Sequence, residues 1–227
     1  MHFLLLGASG RTGQHVVSEL LSQGHTAVAL VRTSGSLTPR PGLNIVTGSP
    51  LSKSDIRSAL LAAPPSPSAA IITSNTVRKS DSPFAAQISP PRFLADSCAS
   101  VCEVLEHAGF YRVVAMSTAG VGDSWGNLPW LSKAFLRWTN VKYALEDHGL
   151  VDKKIRLTKM DWTLVRVVRL QFDDRKPTDT NTDVKTLGSK GDGMSVTDSV
   201  SVTSVASFLV KVAVEGLFVQ SAVVMAI

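Results

Sequence analysis

The sequence predicts a doubly wound α/β fold, a mostly parallel sheet with helices on both faces. Three observations predict it. Short apolar runs alternate with amphipathic stretches along most of the chain. A glycine-rich turn, GASGRTG at 7–13, separates the first apolar run from the first amphipathic stretch. Strand, helix and second strand are complete within about 30 residues, the length of one βαβ unit.

Taken in order, residues 3–6 form an apolar run suited to a buried parallel strand. Residues 7–13 turn. Residues 14–23 place Val16, Val17, Leu20 and Leu21 at helical spacing, and Gly24 ends that helix. Residues 26–31 are the second strand, followed by a polar loop over 32–42 with two prolines. Residues 43–46 read as a third strand and 55–62 as a helix, and APPSPS at 63–68 reads as a proline-rich surface loop. A fourth strand at 69–73 leads into an irregular stretch, 74–91. A long helix at 93–107 stops at Gly109. Residues 111–116 form a fifth strand running into Ser117, Thr118, Ala119 and Gly120. Residues 121–140 are punctuated by glycine and proline and carry Trp125, Trp130, Phe135 and Trp138. A helix follows at 141–160, weakened at Gly149, then a sixth strand at 162–168. Residues 173–193 are polar and loop-like. Residues 205–214 make a last helix and 222–227 a last strand. No repeat or linker divides the chain, so residues 1–227 read as one domain.

The 227 residues suffice for one full core, and 44% hydrophobic with 18% charged residues is a globular balance. The net charge of +5 is scattered, with no basic run, so no nucleic-acid partner is expected. A basic surface still suits an anionic small molecule. The two cysteines, Cys98 and Cys102, have no further ligand-type residues clustered around them. They read as reduced thiols rather than a metal site, which fits a cytoplasmic protein. The first apolar run is shorter than the roughly 7–15 residues of a signal peptide core. No stretch reaches the ~18 apolar residues of a membrane span, so no membrane partner is expected. The oligomeric state stays open.

The glycine turn carries the strongest chemical signal. Gly7 permits the tight turn, Gly10 lets the backbone approach a pyrophosphate, and Gly13 lets the helix pack close to the sheet. The helix start offers free N–H groups and a partial positive charge to phosphates. Ser9, Arg11 and Thr12 can add hydrogen bonds. At the end of the second strand, where an acidic residue would favour NAD, the chain has Arg32. A guanidinium there suits the 2′-phosphate of NADP(H); otherwise Arg32 is a solvated loop residue.

From these residues onward the chain resembles the atypical short-chain dehydrogenases, and most closely their biliverdin reductase B (flavin reductase) and NmrA-like branch. The resemblance runs through GASGRTG at 7–13, VRTSGSL at 31–37, VVAMSTAGVGDS at 113–124, EDH at 146–148, IRLTKMDWTLVR at 155–166 and SVTSVASFLV at 201–210. It implies a Rossmann fold with Gly7, Ser9, Gly10, Arg11, Thr12, Arg32 and Ser36 along the dinucleotide. It implies that Ser74, Asn75 and Arg78 line the groove, that Ser117 and Thr118 sit by the nicotinamide, and that Arg166 to Arg169 close that side. Three positions depart from the family pattern. Gly48 is followed by Ser49 rather than Asp, Arg166 is followed by Val167 rather than Pro, and Arg169 stands where biliverdin reductase B has a histidine.

The Tyr-x-x-x-Lys pair of ordinary short-chain dehydrogenases is missing, since Ala115 lies four residues after Tyr111 and Asp147 four after Tyr143. The remaining candidates for the chemistry are Ser117, Thr118, His148 and Arg169. Ser117 either orients a substrate carbonyl or closes the strand as a turn residue. His148 is an acid–base candidate or a helix-end residue. Trp125, Trp130 and Trp138 form either a lid over a flat apolar substrate or packing under a long connection. The expectation is an NADPH-dependent reductase of a planar, conjugated, apolar small molecule such as a flavin, quinone or enone. A redox-neutral isomerase, cyclase or epimerase and a non-catalytic NADP(H)-sensing regulator are the alternatives.

Overall fold

The computed structural model describes residues 1–62, 66–172 and 184–226. The elements run β1 (His2–Leu6), α1 (Arg11–Ser22), β2 (Thr26–Val31), β3 (Leu43–Thr47), α2 (Lys53–Leu61), β4 (Ala69–Ile72), α3 (Phe93–His107) and β5 (Arg112–Thr118). A 3-10 turn at Gly122–Trp125 leads to α4 (Trp130–Trp138), α5 (Val141–Ile155), β6 (Asp161–Val167) and β7 (Arg169–Gln171). The chain ends with β8 (Lys185–Thr186), β9 (Ser199–Ser201), α6 (Val202–Val214) and β10 (Ser221–Ala226).

Eight strands form one sheet in the order β3-β2-β1-β4-β5-β6-β10-β8. All pair in parallel except β8, which runs antiparallel to β10. Strands β7 and β9 form a small second sheet. The order reverses between β1 and β4, so the chain leaves their C-terminal ends in opposite directions and opens a crevice.

Side chains alternate across a strand, and two cores result. Phe3, Leu5, Val114 and Val165 pack with Val16, Val17 and Leu20 of α1 and with Val205 and Leu209 of α6. Leu4, Leu6, Val113 and Leu164 pack with Ile56 of α2, Val101 and Leu105 of α3, and Val151 and Ile155 of α5. The buried strands carry apolar residues on both faces, as parallel strands covered on both sides must.

The structure shifts several expected boundaries for local reasons. Helix α1 begins at Arg11, since Gly10 already has the extended conformation of an N-cap. Ser52 and Ser201 cap α2 and α6, accepting from the N–H groups of Asp55 at 3.3 Å and Ser204 at 3.1 Å, so both helices start earlier than their apolar spacing suggests. Helix α5 ends at Ile155, where Thr158 Oγ1 donates to the Ile155 carbonyl at 2.7 Å and closes a turn. Ser117 and Thr118 belong to β5, opposite Arg166 and Val167. Part of the 121–140 segment is helical, as α4. Strands β7, β8 and β9 were not legible as strands, being two or three residues each. Residues 63–65 of the proline-rich loop, 173–183 of the polar stretch, and 227 lie outside the described residues.

Candidate functional site

The crevice at the strand switch is a groove of about 530 Å³. The first βα turn forms one wall. Gly7 has φ +81°, and a Cβ there would lie 2.5 Å from the Ser74 nitrogen. A Cβ on Gly13 would lie 2.1 Å from the Gly7 carbonyl oxygen. Both positions therefore require glycine. Gly10 N–H donates to the Gly7 carbonyl at 2.9 Å, which folds the turn back against the start of α1. Among the described residues no side chain caps that helix start, and its first turn has no acidic residue. Its leading N–H groups thus face the groove with their partial positive charge uncompensated.

Of the residues expected along a dinucleotide, Gly7, Ser9, Gly10, Arg11, Thr12, Arg32, Ser74, Asn75 and Arg78 all line this groove. Arg11 reaches across it to Asp81 at 3.2 Å and stacks over the Phe172 ring at 3.7 Å. Arg32 sits 5.3 Å from the Phe93 ring centroid at the end of β2. Arg78 has a buried guanidinium nitrogen with no partner among the described residues. An uncapped helix start, a glycine cradle with no room for Cβ atoms, and an unpartnered buried guanidinium N–H together fit a bound phosphate-bearing nucleotide.

Other expected residues are placed differently. Gly13 does not line the groove and acts through packing. Ser36 also lies outside its lining, and its hydroxyl donates to the Thr33 carbonyl at 2.7 Å, closing the turn after β2. Arg166 is wholly buried on the α5 side of the sheet, with its guanidinium held by Asp152, Asp123 and the Ser189 carbonyl. It therefore has no reach into the groove. Burial pushes Asp123 up, but the Arg166 hydrogen bond and charge outweigh it and leave its pKa below the ordinary carboxylate value.

A second, more apolar cavity of about 460 Å³ opens where β5 and β6 end. Thr118, Val167, Val168 and Arg169 form its floor and lip. Leu128, Leu131, Phe135 and Leu136 form one wall and Met194 another. It adjoins the groove. Met116, on the same face of β5 as Thr118, lines the groove, as does Leu170, the neighbour of Arg169.

The catalytic candidates thus separate. Thr118 and Arg169 line the apolar cavity. Ser117 points to the opposite face of β5, buried, with no partner for its hydroxyl among the described residues. His148 lines neither the groove nor this cavity. It is only 6% exposed within α5, and burial lowers its pKa from 6.5 to about 4. Its neighbour Asp147 has a structural role, accepting from Leu94 and Ala95 N–H at 2.8 and 3.0 Å and capping α3 from another helix. Tyr111 and Tyr143 line neither site.

None of the three expected pocket tryptophans lines the apolar cavity. Trp125 is half-buried in a satellite cluster with Ala119 and Leu128, its ring flanked by Lys133 and Arg137. Trp130 and Trp138 are exposed. The wall is made of leucines and one phenylalanine instead, and Leu131 and Phe135, one helical turn apart in α4, are the signal by which it could have been found. Sequence reasoning also missed Phe93, Phe172 and Pro50 in the groove. Among the described residues no cluster of His, Cys, Asp and Glu could hold a metal, and no helix is long and apolar enough to cross a membrane.

Solved structures with the same fold extend over almost the whole chain. ChuY, an anaerobilin reductase from Escherichia coli O157:H7, superposes with TM-score 0.75 at 19% identity, covering 99% of this chain and 96% of that one. A short-chain dehydrogenase/reductase from Veillonella parvula in complex with NADP gives TM-score 0.75 at 17% identity, covering 99% and 93%. A putative NAD-dependent epimerase/dehydratase from Bacillus halodurans gives 0.72 at 17% identity, covering 100% and 94%. No curated protein matches the chain in sequence. Residues 7–215 match the NAD(P)H-binding family, beginning at Gly7 of the glycine cradle. The chain is a Rossmann-type protein and belongs to the NAD(P)H-binding family.

Proposed function

We propose that the protein is an NADPH-dependent reductase of a planar, conjugated, apolar small molecule, of the flavin, quinone or enone kind. The observation that carries this reading is the 460 Å³ apolar cavity adjoining the nucleotide groove at the ends of β5 and β6. Its size is that of an ordinary small-molecule site. Its position, beyond the carboxyl ends of parallel strands, is where this architecture holds ligands.

Arg32, at the end of β2, supports the phosphorylated cofactor, because a fixed guanidinium matches a 2′-phosphate. The bound nicotinamide supplies the hydride. The protein's own part is positioning. The glycine turn and the start of α1 would hold the pyrophosphate, and the apolar side chains of α4 exclude water from one side of the cavity. Arg169 stands exposed at the cavity lip, where its charge stabilises negative charge developing on a substrate oxygen. Thr118 Oγ1 donates to the Ala119 carbonyl at 3.2 Å and keeps its lone pairs for a substrate donor. With neither tyrosine at the site, the proton for the reduced product comes from solvent.

The test is NADPH oxidation followed at a series of flavins, quinones and enones with purified protein. Turnover with at least one class, faster with NADPH than with NADH, is the expected result. No turnover with any of them overturns the reading. Product formation without net NADPH consumption replaces it with a redox-neutral reaction.

A further inference from the structure

Helix α4 is unusual for a globular protein in that none of its nine residues is fully buried. Trp130 is 75% exposed and Trp138 83%, while Leu131 and Phe135 are each half exposed. At 3.6 residues per turn, Trp130, Leu131, Ala134, Phe135 and Trp138 share one arc roughly 140° wide, with Lys133 and Arg137 beside it. Leu136 faces the other way, into the cluster containing Ala119 and Leu128. The helix is thus attached to the body by a narrow edge and presents an aromatic face outward.

The helix itself carries charge of one sign. From Ser124 to Leu145 the chain has Lys133, Arg137 and Lys142 and no acidic residue. Among the described residues the nearby carboxylates lie off the helix, and of these Asp123 is paired with a cation while Asp192 and Asp198 have neutral hydrogen-bond partners. Asp123 is held by Arg166, Asp192 accepts from Asn127, Asp198 accepts from the Ser195 N–H, and Glu146 lies one turn along α5 from Lys142. Asn140 adds to the apolar surface. Its N–H donates to the Pro83 carbonyl at 2.9 Å and its side chain donates to the Phe84 carbonyl at 2.8 Å, bringing Phe84, 69% exposed, next to the end of α4.

We propose that α4 seats on an anionic lipid surface, and that the apolar cavity behind it receives its substrate from the bilayer. Tryptophan has an apolar body and a polar N–H, which suits the boundary between headgroups and acyl chains. Lysine and arginine flanking the aromatic face are attracted by anionic headgroups. A second copy of the chain fits less well, because a two-fold contact through α4 would bring the same three cations of each protomer together. It would also cover Leu131 and Phe135, which line the cavity and are half exposed at its mouth. Contrary to the absence of a membrane partner expected from the sequence, the surface fits a peripheral lipid contact. The second half of the proposal, a lipophilic substrate delivered from the membrane, rests on the reductase reading above.

The experiment is co-sedimentation of the full chain with vesicles of phosphatidylcholine alone and of phosphatidylcholine with phosphatidylglycerol. It is repeated for the Trp130→Ser, Trp138→Ser double variant, which alters two exposed side chains outside the cavity lining. The wild type is expected to bind the anionic vesicles, less at high salt, with a blue shift of tryptophan fluorescence. The double variant, with unchanged circular dichroism, is expected to bind at least about tenfold more weakly. Absence of wild-type binding, or equal binding by the double variant, overturns the proposal. So does a wild-type dimer, seen by light scattering, that the double variant abolishes. A second arm compares NADPH oxidation by a water-soluble quinone and by a long-chain quinone held in anionic vesicles. Loss of only the vesicle-borne activity in the double variant supports delivery from the bilayer, and equal loss or retention of both overturns it. Vesicle binding without turnover of either quinone leaves the lipid surface standing and overturns delivery of a quinone from the bilayer, while the reductase reading falls only if flavins and enones are not turned over either.

Discussion

Arg166 and Asp152 form an interior ion pair, with Arg166 Nη2 donating to Asp152 Oδ1 at 2.9 Å. The arginine side chain is 0% exposed and the aspartate 8%. Gly122 lies over the pair with φ +59°, and a Cβ there would be 2.7 Å from Arg166 Nη2. The second guanidinium nitrogen donates to Asp123 and to the Ser189 carbonyl. One residue of β6 therefore ties together α5, the turn after β5 and the loop after β8. Those two connections carry Leu128 and Met194 into the apolar cavity.

Removing Asp152 leaves the buried Arg166 guanidinium with Asp123 as its remaining carboxylate and strips its Nη2 of a partner. Asp152→Ala is expected to lower unfolding free energy by about 3–5 kcal/mol. Urea denaturation checks it, and a loss below about 1 kcal/mol would mean that the pair contributes little.

Gly13→Ala is expected to abolish nucleotide binding without touching a ligand. Its Cβ would collide with backbone at Gly7 and Ala8, at 2.1 and 2.7 Å, so the cradle or the helix must move. Fluorescence titration with NADPH reads this out, with thermal unfolding as the control for global damage.

Arg32→Ala is expected to weaken NADPH binding roughly 10- to 100-fold, the loss of charge-assisted hydrogen bonds to a phosphate, and to leave NADH affinity nearly unchanged. Parallel titrations with the two cofactors decide it. Equal weakening of both would place Arg32 away from the 2′-phosphate.

His148 predicts a stability profile. Its folded pKa is lowered from 6.5 to about 4 by burial, so between those values the unfolded chain binds more protons than the folded one. Its neutral state is compatible with the fold above pH 6.5, and stability falls as pH drops from about 6.5 to about 4. The loss is about 3 kcal/mol in total. Urea titrations across that range should show the slope, and His148→Gln should flatten it. Asp96 acts in a lower window. The Lys154 hydrogen bond, joined by Arg92, lowers its pKa against the opposing effect of burial. Its contribution is present above the ordinary carboxylate value and lost as pH falls through the depressed one.

The parallel sheet, the glycine cradle and the arginine after β2 were legible in the sequence because each follows from local rules. A buried parallel strand needs consecutive apolar residues, a phosphate turn needs glycines at fixed offsets, and the end of β2 is a fixed number of residues downstream. These signals depend on neighbours in the chain, so they survive without knowledge of the fold. The apolar cavity was not legible in the same way. Thr118, Arg169, Leu131, Phe135 and Met194 come from separate segments that only the folded sheet brings together.

The sequence alone determined the order of the main elements and the nucleotide groove, since periodicity and glycine spacing are local properties. The tertiary structure decided which side chains face the site and which are engaged elsewhere. Adjacent residues in β5 point to opposite faces, so Ser117 is buried away from the cavity that Thr118 lines. Arg166 is drawn inward by Asp152, a carboxylate from another element. Trp130 and Trp138 face outward because only one edge of α4 meets the body. Direction and partnership depend on what packs against a residue, and packing is a property of the whole fold.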